Sequence, residues 1–213
     1  IAEQFEAARN APKTGPLRVI SGGQIGADRM GLESARKLGI ETGGMAPKGY
    51  RISGGQDPSL KDFGLTESAD SGYTVRTKAN VQNSDLTLLF TNPGNEAKKG
   101  TNSPGSVATR RFARELGKEL LENPTKEEVV AAMARTGAST INIAGNRSFA
   151  QPGAIEEAIS FAKQAFDARE AVNIEMPELR GPSIVEEAAQ IGSRTVGEDI
   201  ELSPLRVAWQ RFE

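Results

Sequence analysis

Glycines that directly follow a short apolar run are the first feature of this sequence whose residue types and spacing could do chemistry. The apolar run covers residues 17–20, and Gly22, Gly23 and Gly26 come next, ahead of a segment with helical spacing that closes at Gly39. This order predicts a strand, a tight turn and a helix. Glycine lets the backbone come close to a ligand, and the first amides of a helix have no partner within it. We therefore expect the turn to attract an anion, phosphate above all.

Polar residues in the same turn could take part in binding. Asp28 suits the positive end of the helix dipole, and it could also orient a ligand hydroxyl or a metal ion. Arg29 could present a two-pronged guanidinium contact to phosphate. Two later predicted strands also end in glycine turns, at Gly94 and Gly145. Because ligands of open parallel sheets bind beyond the carboxyl ends of the strands, these turns predict one shared binding site.

The composition excludes several kinds of chemistry. The 213 residues include no cysteine and no histidine, which removes thiolate nucleophiles, disulfides and the usual general base. Any catalysis must use carboxylates, lysine, tyrosine, hydroxyls or a bound ion. The net charge of -2 argues against a broad nucleic-acid surface. No apolar run approaches the roughly 20 residues of a membrane helix, and residues 1–9 do not read as a secretory signal, so we expect a cytoplasmic protein without membrane contact.

Six short runs predicted to be strands, most of them separated by segments with helical spacing, are the elements that must position this site. They are residues 17–20, 40–46, 65–67, 86–90, 119–121 and 140–144. Their alternation with helices predicts an α/β domain, an open and mostly parallel sheet flanked by helices, over residues 16–167. An N-terminal extension, 1–15, precedes it, and an irregular C-terminal arm, 168–213, follows. Residues 47–61 are predicted to lack regular structure.

The helix predicted to start at Ser71 has a mixed composition. Its spacing predicts that Val75, Ala79 and Val81 face the core and that Arg76, Lys78 and Asn80 occupy the remaining surface. Tyr73 at its start is expected to pack with a hydrogen-bonded hydroxyl.

Four cationic side chains, Lys48, Arg51, Arg76 and Arg147, come from separate segments. Each alone is typical of surface charge, and together they could converge on phosphate. The hypothesis predicts that changing Arg51 or Arg147 to alanine weakens binding of a phosphorylated ligand without unfolding the domain.

The sequence of the first turn, SGGQIGADR at 21–29, resembles the S-G-G-Q-T-G-x-D-R signature of the molybdenum cofactor carrier family, in the SLOG superfamily of Rossmann-like nucleotide-binding domains. Further segments are also similar to the family: 47–51 (PKGYR), Tyr73, Arg76, Thr77, Asn80, Val81, Ser84 and Asp85, Gly100-Thr101, and Asn142 with 144–147 (AGNR). The resemblance covers roughly residues 17–163. Ile25 departs from the family threonine and Asn146 from a proline.

The resemblance implies a Rossmann-like fold and a ligand at the edge of the sheet. The ligand-binding residues we expect are Gly22, Gly23, Gln24, Gly26, Asp28, Arg29, Lys48, Arg51, Arg76, Asn80, Gly100, Thr101 and Arg147. Phosphate would lie on the amides of residues 22–26 and 100–101. The leading hypothesis is a binding protein for a phosphorylated nucleotide or pterin-nucleotide derivative, the molybdenum cofactor or a nucleotide being the bound molecule.

Three alternatives remain open. One is a nucleotide hydrolase of the phosphoribohydrolase type, with Asp28 or Glu96 as the carboxylate and Mg²⁺ as a cation it could use. The related cytokinin-activating phosphoribohydrolases carry a catalytic glutamate where this chain has Pro104, which argues against that reaction. Another is a sensor of nucleotide signals in antiviral defence, as related domains are. The last is a structural module that forms a homo-oligomer through the C-terminal arm.

Overall fold

A computed structural model describes residues 15–92 and 103–175 of the chain, with the backbone alone at 173–175. Several predicted features lie outside these residues. They are Gly94, Glu96, Gly100, Thr101, most of the N-terminal extension and the C-terminal arm beyond residue 175.

The described residues form a central sheet of six parallel strands. Across the sheet, the strands are β5 (Leu65–Glu67), β2 (Glu41–Ala46), β1 (Arg18–Ser21), β8 (Thr140–Gly145), β6 (Leu86–Phe90) and β7 (Glu119–Glu122). From β1, the chain adds β2 and β5 on one side of the sheet. It then forms β6 and β7 on the other side, and β8 takes the place between β1 and β6. The predicted open parallel α/β sheet is confirmed, and each predicted strand end lies within one residue of the observed end.

Helices cover both faces of this sheet. They are α1 (Ala27–Lys37), α2 (Tyr73–Gln82), α3 (Pro104–Glu115), α4 (Lys126–Thr136) and α5 (Pro152–Glu175). The largest apolar cluster joins α1, α4 and α5 to one face, and a smaller one joins α2 and α3 to the other. Leu121 and Leu120, neighbours on β7, pack into the first and the second cluster respectively, as strand alternation requires. None of the described helices is long and apolar enough to cross a membrane.

Helix α2 buries its polar side, and this contradicts the predicted orientation. Arg76 and Asn80 are buried, whereas Val75 is 45% exposed. The reason lies in the partners of these two side chains: Arg76 donates to the Asp28 carboxylate at 3.1 Å, and Asn80 exchanges hydrogen bonds with the Met45 backbone at 2.8 and 3.0 Å. Because buried polar groups are costly without hydrogen bonds, these partners allow the polar side of α2 to face inward. The predicted burial of Val81 is confirmed.

The predicted lack of regular structure in residues 47–61 is wrong. A short antiparallel pair, β3 (Arg51–Ile52) and β4 (Gly55–Gln56), is followed by a 3₁₀ helix over Pro58–Phe63. The Asp57 side chain caps this helix by accepting a hydrogen bond from the Ser59 amide at 3.1 Å. Leu60 and Phe63, three residues apart, are both buried in a cluster with Leu32, Ala46 and Leu65, which fixes the segment against the domain.

Candidate functional site

A cavity of about 570 Å³ opens at the carboxyl edge of the sheet, and we call it the edge cavity. Its wall comes from the turn after β1, the first turns of α2 and α3, and the residues at the end of β8. The lining residues include Gln24, Asp28, Tyr73, Arg76, Asn146 and Arg147. Ligand sites of drug-sized or nucleotide-sized molecules have volumes in this range, roughly 300–1,000 Å³.

Asp28 and Arg76 form a buried ion pair in this wall. The Arg76 Nη1 lies 3.1 Å from the Asp28 Oδ2. Asp28 is 4% exposed and Arg76 is 8% exposed. The Gln24 amide donates to the same carboxylate oxygen at 3.4 Å. Burial raises the pKa of Asp28, although Arg76 and the backbone amides of Gln24 and Gly145 counteract part of that rise. The Nε of Arg76 is buried and has no hydrogen-bond partner among the described residues.

The three glycines of the first turn make room for the protein itself. A side chain at Gly22 would overlap the Arg76 guanidinium. Gly23 has a φ of 71°, and a side chain there would approach Leu60 within 2.6 Å. Gly26 has a φ of 92°, and a side chain there would overlap the carbonyl of Arg147. The turn is therefore tight because three other segments pack directly against it.

Two amides at the start of α1 have internal partners, which contradicts the prediction that the first amides of this helix are free. The Ala27 amide donates to the Asn146 carbonyl at 3.2 Å, and the Arg29 amide donates to the Gln24 carbonyl at 3.0 Å. The end of β8 thus caps the helix that follows β1, which joins two sides of the edge cavity.

Gln24 connects the first turn to the β3–β4 hairpin. Its side-chain Nε2 donates to the Arg51 carbonyl at 2.8 Å, and its Oε1 accepts from the Ser53 amide at 3.2 Å. With both ends of the amide satisfied and only 4% of the residue exposed, Gln24 has a fixed orientation in the wall of the edge cavity.

Of the four predicted cations, Arg76 and Arg147 line the edge cavity. Lys48 and Arg51 are exposed and are not among its lining residues. Arg51 approaches the site through its backbone carbonyl, by way of Gln24. The structure thus brings two of the four side chains together.

Tyr73 lies beside both of the cavity-lining arginines. The guanidinium carbons of Arg76 and Arg147 are each 5.8 Å from the centre of its ring, a distance at which a cation is attracted to the ring face. Arg147 also donates from Nη1 to the Ser53 hydroxyl at 3.2 Å. Because Tyr73 is only partly buried and lines the edge cavity, a planar ligand could pack against its ring.

Arg29 and Asn80 have partners away from the edge cavity. Arg29 forms an ion pair with Asp57, and its guanidinium lies 5.1 Å from the Phe63 ring centre. The Asn80 side chain accepts from the Met45 amide at 2.8 Å and donates to the Met45 carbonyl at 3.0 Å. It meets β2 just beyond the last residue paired with β1, Gly43, and lines a smaller cavity of about 250 Å³.

Asn146 is the site residue that the sequence indicated only as a departure from the family. It is 5% exposed, and its side-chain Oδ1 accepts from the Ser106 hydroxyl at 3.1 Å. With its carbonyl bound to Ala27, it holds the starts of α1 and α3 against β8. The lining residues Thr74, Thr77, Ser103 and Ser148 are not among the expected ligand-binding residues, because short polar side chains also commonly bond the backbone in caps, turns and helices.

The described ranges contain no group of three or more acidic side chains that could hold a metal ion. A parallel sheet with a cavity between turns at its carboxyl edge defines a Rossmann-like domain suited to ligand binding.

The chain belongs to the circularly permuted YpsA SLOG family, whose model matches residues 19–166. It is also similar to a crystal structure of a protein from Syntrophus aciditrophicus SB that bears the name putative molybdenum carrier protein. The TM-score is 0.54 and the sequence identity 33%, over 71% of this chain and 94% of that chain. A search of the curated proteins found no match. The predicted family assignment is thereby confirmed, and it supports a role in binding a nucleotide-related ligand.

Proposed function

We propose that this protein binds a phosphorylated nucleotide or pterin-nucleotide derivative in the edge cavity. The observation that carries the proposal is the group of Arg76, Arg147 and Tyr73 in the wall of a cavity of about 570 Å³. Guanidinium groups suit phosphate oxygens, and an aromatic ring suits the face of a planar heterocycle. The relative named as a molybdenum carrier supports a pterin-type molecule within this class.

The expected binding energy has two sources. A hydrogen bond from a guanidinium to phosphate contributes roughly 1.5–3 kcal/mol, and stacking of a base on an aromatic ring about 1–3 kcal/mol. Because the Arg147 side chain is exposed, its share should weaken as salt concentration increases.

A hydrolase acting on the same class of molecule is the second candidate. It is favoured by Asp28, a buried carboxylate in the cavity wall whose pKa is raised, as suits a general base. Glu96, the other predicted carboxylate, lies outside the described residues.

One experiment separates the two candidates. Purified protein is titrated calorimetrically with AMP, GMP, CMP and UMP, and the same mixtures, with and without Mg²⁺, are followed by chromatography. Binding without product formation is the result we expect. Sustained turnover that Asp28→Asn abolishes would replace the proposal with the hydrolase, and failure of every nucleotide to bind would contradict both.

A further inference from the structure

Charge is unevenly divided along the wall of the edge cavity. Arg76 is paired with Asp28 at 3.1 Å, so these two buried residues together carry no net charge. Arg147 is exposed, and the hydroxyl of Ser53 to which it donates is neutral. These three are the charged members of the described lining. The uncompensated positive charge of the wall therefore lies at Arg147, which we take as the mouth, and the neutral pair forms the floor.

The first turn is a poor place for an anion because the Asp28 carboxylate lies against it. The Gln24 amide is directed at that carboxylate, and the amides of Ala27 and Arg29, at the start of α1, already donate to carbonyls. A phosphate set on this turn would lie next to that carboxylate in a buried, weakly screened position. Like charges in such a place repel each other strongly.

The floor can instead accept hydrogen bonds from an uncharged group. The Asp28 carboxylate lines the cavity, and neutral N–H or O–H groups of a ligand could donate to it without charge repulsion. The guanidinium carbons of Arg76 at the floor and Arg147 at the mouth are each 5.8 Å from the centre of the Tyr73 ring. A planar ring packed against Tyr73 would therefore lie near both groups.

We infer that the edge cavity binds its ligand in one orientation, with the phosphate at Arg147 and the uncharged, hydrogen-bond-donating part of the molecule against Asp28. This inference rests on the proposed function, and it moves the phosphate away from the glycine turn on which the sequence alone places it. Asp28 then selects the ligand by excluding negative charge from the floor.

A thermodynamic cycle tests the orientation. The affinities of guanosine and GMP are measured by calorimetry for the wild type, Arg147→Ala, Asp28→Asn and Arg111→Ala, the last being an exposed arginine that pairs with Glu115 and does not line the cavity. We expect Arg147→Ala to weaken GMP binding roughly tenfold or more and to leave guanosine within about twofold. Asp28→Asn should weaken guanosine and GMP by the same factor, and Arg111→Ala should change neither.

The opposite pattern would overturn the inference. If the phosphate lay beside Asp28, Asp28→Asn would tighten GMP relative to guanosine, and Arg147→Ala would affect the two probes alike. Circular dichroism checks that Asp28→Asn folds. If it does not, the Arg147→Ala comparison of guanosine with GMP decides alone. If GMP does not bind, the cycle uses whichever of AMP, CMP or UMP binds, with its nucleoside. The reversed pattern removes only the orientation, whereas failure of all four nucleotides to bind the wild type removes the proposed function and this inference with it.

Discussion

Two opposing effects act on the pKa of Asp28. Its carboxyl is buried, which favours the neutral form, yet it faces the Arg76 guanidinium, which favours the charged form. Burial is the stronger effect and raises the pKa of Asp28. Glu122 presents the reverse case, because hydrogen bonds from Arg110 and Thr91 lower its pKa against a smaller effect of burial. The two carboxyls should therefore change stability with pH in opposite directions.

For Asp28, the folded protein holds the proton more tightly than the unfolded chain does. The free energy of unfolding of the wild type relative to Asp28→Asn should thus be highest below the ordinary pKa of 3.8. It should decrease as pH rises through the raised pKa and stay constant above it. Urea unfolding at a series of pH values measures this difference.

Glu122→Gln is the matched comparison. Because the pKa of Glu122 is lowered, its stabilising effect is present above the ordinary value of 4.5 and is lost as pH falls through the folded pKa. Relative to Glu122→Gln, the wild type should lose stability toward acid. Parallel curves for the two variants would contradict this account of both residues.

At the residue scale, the sequence predicted members of the cavity but not their partners. Gln24, Asp28, Arg76 and Arg147 were expected at a ligand site from the family resemblance, and all four line the edge cavity. The burial of Arg76 could not be foreseen, since an arginine on a helix is ordinarily exposed and its carboxylate lies 48 residues earlier in the chain. That each of them binds ligand stays a prediction.

At the scale of elements, β8 is the centre of the site. It lies between β1 and β6, and the residues after it cap α1 and contact α3. At Gly145, β8 packs closely against both β6 and α1. A side chain there would overlap the Phe90 carbonyl and lie 2.7 Å from the Ala27 Cβ. Backbone atoms on β6 cannot move aside as a flexible side chain can.

Gly145→Ala should therefore destabilise the protein by about 1–3 kcal/mol, the usual cost of overpacking. Gly153→Ala is the control, since a side chain at this position in α5 would meet nothing within 4 Å. It should be neutral or stabilising by up to about 1 kcal/mol, because alanine restricts the unfolded chain. Denaturant unfolding measures both, and equal stabilities of the two variants would contradict the packing described at β8.

The strands were predictable because short apolar runs, bounded by turn residues and repeated between helical segments, are typical of buried parallel strands. The orientation of α2 was not predictable, since its moderate apolar content fits either side and the outcome depends on Asp28 and Met45, the partners of Arg76 and Asn80 in distant segments. The 3₁₀ helix at Pro58–Phe63 was not predictable for a similar reason. Its two buried residues, Leu60 and Phe63, pack against residues from other segments, Leu32 and Leu65 among them.

At the scale of the whole molecule, the described residues up to Ala171 belong to one compact unit. Helix α5 continues to Glu175 and so runs through the boundary that the sequence placed at residue 168. Assembly through the C-terminal arm stays a prediction, because the arm beyond residue 175 lies outside the described residues. The edge cavity depends on segments more than a hundred residues apart, the first turn and the end of β8, so it exists only in the folded domain.

Blocking the edge cavity tests whether it holds a ligand. Ala108 on α3 lines it, and tryptophan at this position would fill the space, whereas Val107 on the same helix is 50% exposed and outside the lining. Native mass spectrometry of the wild type, Ala108→Trp and Val107→Trp, as purified and after incubation with GMP, reports any retained mass. We predict a bound nucleotide-sized molecule in the wild type and in Val107→Trp, and its loss in Ala108→Trp. Equal retention by all three proteins, or none by the wild type, would contradict a ligand in the edge cavity.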